Sequence, residues 1–297
     1  MIRAIISKRS IVDQGANEKM KLHRIFSMAG ILVLTFFLLL IGFSKAESPV
    51  NLPKIAQQIG PSSVMVGVMD GNRVDGIGSG VWIRDKKGEL YIVTNAHVIE
   101  GYFNDVKIAG LQSQPSVNKA LLKNDPGYIN FAVRLYTGSD LKEGDIIRAK
   151  LYRLPKGQYA LSSFKSGHDL ALLKPTIYGP LAQKIQTVQF RDIKQDKLQP
   201  LESVIAVGSP QDWSDTFTMG HISNPERLHP DELQNIFIQH DAPINGGNSG
   251  GGLYDTQGRL IGINSRKPPS IEEGVSFSIR VDVLETVLKE WGILLVK

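Results

Sequence analysis

The sequence predicts an all-β protein, a barrel or a sandwich, on three observations. From residue 60 onward the chain is a series of short β-type segments separated by turn residues. They are VMVGVMD, GIGSGVWIRD, LYIVTNAHV, DIIRAKLYRL, DLALLKP, SVIAVGS, NIFIQHDA, GGLYD, RLIGINS and VSFSIRV. Thr256-Gln257-Gly258 joins GLYD to RLIGI with the length of a hairpin connection. Only two stretches read as helices: a short one near Leu52–Ile59, and a C-terminal one in which Val281, Leu284, Val287, Leu288 and Trp291 form one apolar stripe.

Ahead of the β segments lies a leader of different character. The 297 residues carry 34 Lys+Arg against 29 Asp+Glu. Residues 1–46 hold Arg3, Lys8, Arg9, Lys19, Lys21, Arg24 and Lys45 against only Asp13 and Glu18, so residues 47–297 are left with 27 bases and 27 acids. The body is neutral, and nucleic acid is not an expected partner. Residues 25–43, IFSMAGILVLTFFLLLIGF, carry no charge; as a helix they would span roughly 28 Å, close to a bilayer core. The basic flank should stay cytoplasmic, which places the body outside the cytoplasm. Ser44-Lys45-Ala46 has small residues where signal peptidase needs them, before Glu47. Residues 1–46 are thus expected to be a basic segment with a signal peptide or, uncleaved, a periplasm-facing membrane anchor.

No Cys is present, which excludes thiolate metal sites, disulfides and a cysteine nucleophile. No HExxH or Cys/His cluster calls for a metal, and neither metal nor cofactor is expected. Residues 108–143 are the least strand-like part, with turn signals at Asn124-Asp125-Pro126-Gly127 and Gly138-Ser139-Asp140. They read as a long surface excursion.

Three motifs carry the chemistry. In Gly247-Asn248-Ser249-Gly250-Gly251, glycines can aim consecutive N–H groups into one concavity beside a serine hydroxyl. On its own this motif also fits a plain surface turn or the nucleophile elbow of α/β-hydrolases. That elbow requires a histidine downstream, and the last histidine is His240, so the elbow reading fails. Thr94-Asn95-Ala96-His97-Val98 ends an apolar strand. Asp169 opens another, Asp169-Leu170-Ala171-Leu172-Leu173-Lys174, where a buried carboxylate requires a partner. His168 beside it should point to the opposite face.

The order His97, Asp169, Ser249 is that of the chymotrypsin arrangement. GSGVWI, TNAHV, DLALLK, AVGSP, INGGNSGGGL and LIGINS occur in the order seen in HtrA-type (Deg-like) bacterial serine proteases. Over roughly residues 50–295 the chain resembles the protease domain of that family, within the trypsin-like superfamily. The resemblance implies two six-stranded antiparallel β-barrels, about 60–185 and about 195–297, with the site between them and a C-terminal helix. It implies that His97 is the general base and Asp169 its orienting partner, that Ser249 is the nucleophile, and that the N–H groups of Gly247 and Ser249 form the oxyanion hole. Pro243, Ile244, Ile263, Asn264, Ser265 and Gly274 would line the substrate pocket. The implied activity is an exported endopeptidase acting on unfolded or extended polypeptides. A catalytically silent pseudoprotease that binds exported polypeptides is the competing reading.

Three departures from the family pattern stand out. After Ser249 the chain runs only to Lys297, and the expected strands and helix consume that length, so no PDZ domain is expected. Residues 108–143 have no assigned counterpart. Asn248 replaces the Asp that in secreted digestive relatives pairs with a freshly cut N-terminus, which argues against that activation route. Homo-oligomers built by exposed loops occur in the resembled family, yet nothing in this sequence specifies one.

Overall fold

The computed structural model describes residues 50–70, 73–100, 130–136, 146–163, 167–210, 216–229, 232–266 and 274–296. The leader with its apolar stretch 25–43 lies outside them. Among the described residues no helix is long and apolar enough to cross a membrane.

Helix α1 (Leu52–Ile59) starts at Asn51, whose side chain accepts the Lys54 N–H at 3.1 Å. It buries Ile55 and Ile59. The first barrel follows: β1 (Ser63–Asp70), β2 (Arg73–Arg84), β3 (Leu90–Thr94), β4 (Phe131–Leu135), β5 (Ile146–Leu151) and β7 (Leu170–Thr176). They pair antiparallel in the order β3-β2-β1-β4-β5-β7, and β3 pairing with β7 closes the ring. The two-residue β6 (Leu161–Ser162) is appended to β7. Closure removes the unpaired sheet edges that would otherwise invite aggregation.

After the short helix α2 (Pro180–Lys184), β8 (Gln189–Phe190) lies parallel beside the second barrel. That barrel comprises β9 (Ser203–Gly208), β10 (Thr216–His229), β11 (Glu232–His240), β12 (Gly252–Asp255), β13 (Arg259–Arg266) and β14 (Ser276–Arg280). Its order is β12-β9-β10-β11-β14-β13, closed by β12 on β13. Helix α3 (Val281–Glu290) buries Val281, Leu284, Val287 and Leu288, the predicted stripe, and Trp291 caps its end. The fold is the predicted all-β one: two closed six-stranded antiparallel barrels and a C-terminal helix.

Alternation along three strands shows how the barrels are cemented. Trp82, Ile92, Ala171 and Leu173 face the core of the first barrel. Their neighbours Val81, Ile83, Tyr91, Val93, Leu170 and Leu172 face outward and join the cluster containing Ile205, Phe237, Leu253 and Ile279 of the second barrel. β2, β3 and β7 are therefore apolar on both faces, which explains runs such as Leu90-Tyr91-Ile92-Val93 that show no period of two. β5 lies on the solvent side and alternates exposed with buried at every position.

One expectation needs correction. Within the stretch 108–143 read as a surface excursion, residues 131–135 are β4, a mostly buried strand paired with both β1 and β5. FAVRL is an apolar run that barrel burial stabilises, and the turn-rich sequence on both sides hides it. Residues 108–129 and 137–143 lie outside the described residues.

Candidate active site

β3 and β7 are antiparallel neighbours, with Thr94 opposite Ala171. The chain leaving β3 therefore meets the chain entering β7 at one end of the first barrel. His97 Nδ1 lies 3.0 Å from Oδ1 and 2.9 Å from Oδ2 of Asp169. The His97 backbone N–H donates to Oδ1 at 2.9 Å, and Ser265 Oγ of β13 donates to Oδ2 at 2.9 Å. Asn95 Nδ2 holds the Asp169 carbonyl at 2.9 Å. Asp169 has a φ of 55°, a left-handed conformation that Asp tolerates better than most residues and that these bonds stabilise.

The Asp169 side chain is 1% exposed and that of His97 32%. A carboxylate so enclosed is tolerated only when donors satisfy it, and here there are three. An ionised carboxylate only accepts, so the proton sits on Nδ1 and the imidazole lone pair is on Nε2, away from Asp169. That is the tautomer of a general base.

Ser249 lies in the loop between β11 and β12. The Asn248 N–H donates to Asn245 O at 3.0 Å, that of Gly250 to Asn264 O at 2.8 Å, and that of Gly251 to Asn248 O at 3.0 Å. The N–H groups of Gly247 and Ser249 make no hydrogen bond to a described residue. Gly247 has a φ of 98°, open to glycine but costly for other residues. The donors of Asn248 and Gly251 are thus spent within the loop and that of Gly250 on β13, and among the described residues those of Gly247 and Ser249 are left to receive a developing anion.

The pose of Ser249 differs from the one the motif suggests. Ser249 Oγ donates its single proton to the Ser265 carbonyl at 2.8 Å. In this pose the proton is therefore offered to Ser265 and not to His97.

The expected pocket residues divide. Pro243 and Gly274 are exposed. Ile244 is buried in the second core, and Ile263 and Asn264 are fully buried. Asn264 Nδ2 donates to Val207 O and Gly252 O, both at 3.2 Å, and Oδ1 accepts from Ser278 Oγ at 3.0 Å. Ile263 and Asn264 therefore present no side-chain wall, and the Asn264 backbone is itself bonded to Gly250 and Gly251. Ser265 has the unforeseen second role of holding both Asp169 and Ser249. Among the described residues no cluster of three or more His, Asp or Glu side chains could hold a metal. A cavity of about 580 Å³ lined by Lys150, Arg153, Lys174 and Tyr178 opens at the far end of β7 and is no part of this site.

Residues 78–263, which span His97, Asp169 and Ser249, match the family model described as trypsin-like peptidase domain. The chain belongs to the trypsin-like peptidase family. It is 32% identical over 222 residues to the serine protease Do-like HtrA of Lactobacillus helveticus, covering 72% of this chain and 42% of that protein. It is 39% identical over 124 residues to a probable periplasmic serine endoprotease DegP-like of Marinomonas, 41% of this chain and 25% of that protein. The serine endoprotease of Yersinia pestis superposes with a TM-score of 0.54 at 26% identity, over 82% of this chain and 68% of the other. This trypsin-like peptidase chain thus spans about two fifths of the length of its HtrA relative.

Proposed function

We propose that the protein is an exported serine endopeptidase that cleaves unfolded or extended polypeptides. The observation that carries this reading is the buried Asp169 carboxylate holding His97 Nδ1 at 2.9 Å, beside a loop with two unspent N–H groups. Ser249 Oγ turns from Ser265 to His97, gives its proton to Nε2 and attacks the scissile carbonyl. The oxyanion is held by the N–H groups of Gly247 and Ser249. His97 then protonates the leaving amine, and the acyl group stays on Ser249. Water enters, gives a proton to His97 and attacks the ester. Collapse of this second tetrahedral intermediate returns the proton to Ser249 and releases the acid. Asp169 keeps the tautomer and stabilises the imidazolium throughout.

Export rests on the basic flank and uncharged stretch 25–43, and on the word periplasmic in the name of the Marinomonas relative. The cleavage product would begin at Glu47; an intact leader would tether the same body to the membrane.

The bond from Ser249 to Ser265 favours a second reading, a silent polypeptide binder locked in that pose. Labelling with a fluorophosphonate probe separates the two. The protease reading expects labelling and casein cleavage, both lost in Ser249→Ala. Absence of labelling in the parent protein would overturn it.

A further inference from the structure

Ser79 lies fully buried on β2 of the first barrel, yet its polar atoms all serve other segments. Its backbone N–H donates to the Ser249 carbonyl at 2.8 Å. Its hydroxyl donates to the Gly247 carbonyl at 2.7 Å and accepts the Ser209 N–H, just past β9, at 2.8 Å. Thr94 Oγ1, at the end of β3, donates to the Ser79 carbonyl at 2.7 Å. One residue of the first barrel therefore holds the carbonyls of both loop residues whose N–H groups are unspent. From these contacts we infer that Ser79 is a positioning residue for the oxyanion-binding loop, acting through Gly247 and Ser249 without touching substrate.

The physical need follows from the loop's composition. Gly247 has no Cβ, so its flanking peptide planes turn at little cost, and a turned plane would present an oxygen where an N–H is required. The plane between Gly247 and Asn248 is gripped on both sides, its oxygen by Ser79 and its N–H by Asn245 O at 3.0 Å. The amide of Ser79 fixes the Ser249 carbonyl two residues on. The glycine beside Ser79 allows the approach: a Cβ on Gly78 would come within 2.8 Å of the Val98 methyls and 3.1 Å of the Ser249 carbonyl. The hydroxyl of Ser79 thus transmits the rigidity of the first barrel to a loop that belongs to the second. Preorganised donors stabilise a transition state because they need not reorganise when charge develops.

This inference rests on the protease reading above. The test compares the parent full-length protein with Ser79→Ala, and with Ser79→Cys, which keeps most of the bulk but replaces the hydroxyl by a weak donor. kcat on a fluorogenic peptide should fall about 10–100-fold in each, less than the 10²–10³ typical of losing a direct donor. KM should change less than about threefold if only transition-state contacts are affected. Affinity for a peptide trifluoromethyl ketone, whose serine adduct carries the oxyanion, should fall by the same factor as kcat/KM. Affinity for the matching peptide without an electrophile should hold. Should the alanine variant not fold, the cysteine variant carries the test. An unlabelled, inactive parent overturns the protease reading and this inference together. An active parent with kcat and ketone affinity unchanged in the variants overturns this inference alone, as does an equal loss in the binding of both ligands.

Discussion

Ser265 Oγ donates to Asp169 Oδ2 at 2.9 Å, joining a strand of the second barrel to the buried carboxylate of the first. The same residue receives the Ser249 hydroxyl on its backbone oxygen. Only the first contact depends on the side chain, so Ser265→Ala separates them. A hydrogen bond to a charged group contributes about 1.5–3 kcal/mol. If Asp169 acts mainly in the transition state, kcat should drop roughly 10–100-fold at nearly constant KM. Asp169→Asn should cost more, on the order of 10⁴-fold, because an amide can present an N–H to Nδ1 and favour the wrong tautomer. Steady-state kinetics of both variants on one peptide checks the ranking, and a Ser265→Ala enzyme slower than Asp169→Asn would contradict it.

The two glycines flanking the Gly247–Ser249 segment should respond oppositely to alanine. Gly250 has a φ of 88°, and a Cβ there would collide with the Ser79 carbonyl and Thr94 Oγ1. The left-handed conformation alone costs roughly 1–2 kcal/mol in a residue with a Cβ, before any clash. Gly250→Ala is expected to lower Tm by several degrees and abolish turnover. A Cβ on Gly246 meets nothing within 4 Å, so Gly246→Ala should melt within about a degree of the parent. Thermal melts of the pair decide the point.

Where the sequence could be read, local signals sufficed. The stripe from Val281 to Leu288 needs only helical spacing, and the hairpin at Thr256-Gln257-Gly258 needs only a turn, closed by Asp255 accepting from Gln257 and Arg259. Helix α2, five residues without a buried side chain, left no periodicity to detect. The long-range contacts were hidden for another reason. Ser79 meets Gly247 across 168 residues, and Ser265 meets Asp169 across 96. Likewise Arg191, with its side chain 6% exposed, is bonded locally to Asp196 and Glu202, but its approach to Asp255 at 3.8 Å is one that only the folded barrel creates. A serine in a strand carries no mark of which distant carbonyl it will serve.

Specificity at P1 can be argued from one carboxylate. By resemblance the pocket floor falls at Pro243, where a preference for Lys or Arg would need an acid. The nearest one before it, Asp241, is directed at β10: it accepts the His221 N–H at 2.5 Å and lies 4.0 Å from the His221 ring. A cationic P1 side chain would lose hydration without a partner, a cost of several kcal/mol. A Val, Ala, Ile or Leu side chain gains up to about 1.5–3 kcal/mol on burial. Cut sites mapped by mass spectrometry on a denatured protein should follow small and medium aliphatic residues, and a dominant Lys/Arg signature would reject this pocket.

His240 should set part of the acid limb of stability. It is fully buried on β11, with Nε2 3.0 Å from Ser278 Oγ. The Ser278 proton goes to Asn264 Oδ1 at 3.0 Å, so Nε2 must be the donor to Ser278. Burial pushes its pKa down from 6.5 to about 4, outweighing the neighbouring Asp241 carboxylate and the Ala242 carbonyl. The folded value lies below the unfolded one, so the unfolded chain takes up the proton first as pH falls. Above pH 6.5 the residue adds no pH dependence. Between about 6.5 and 4 it removes stability at up to about 1.4 kcal/mol per pH unit, and below 4 the loss levels off. From pH 7 to pH 5 this amounts to roughly 2 kcal/mol. His240→Gln keeps a donor for Ser278 but cannot titrate in this range. Urea unfolding at pH 7 and pH 5 should show the parent losing about 2 kcal/mol more than the variant. Equal losses would mean that the buried imidazole is not what acid attacks.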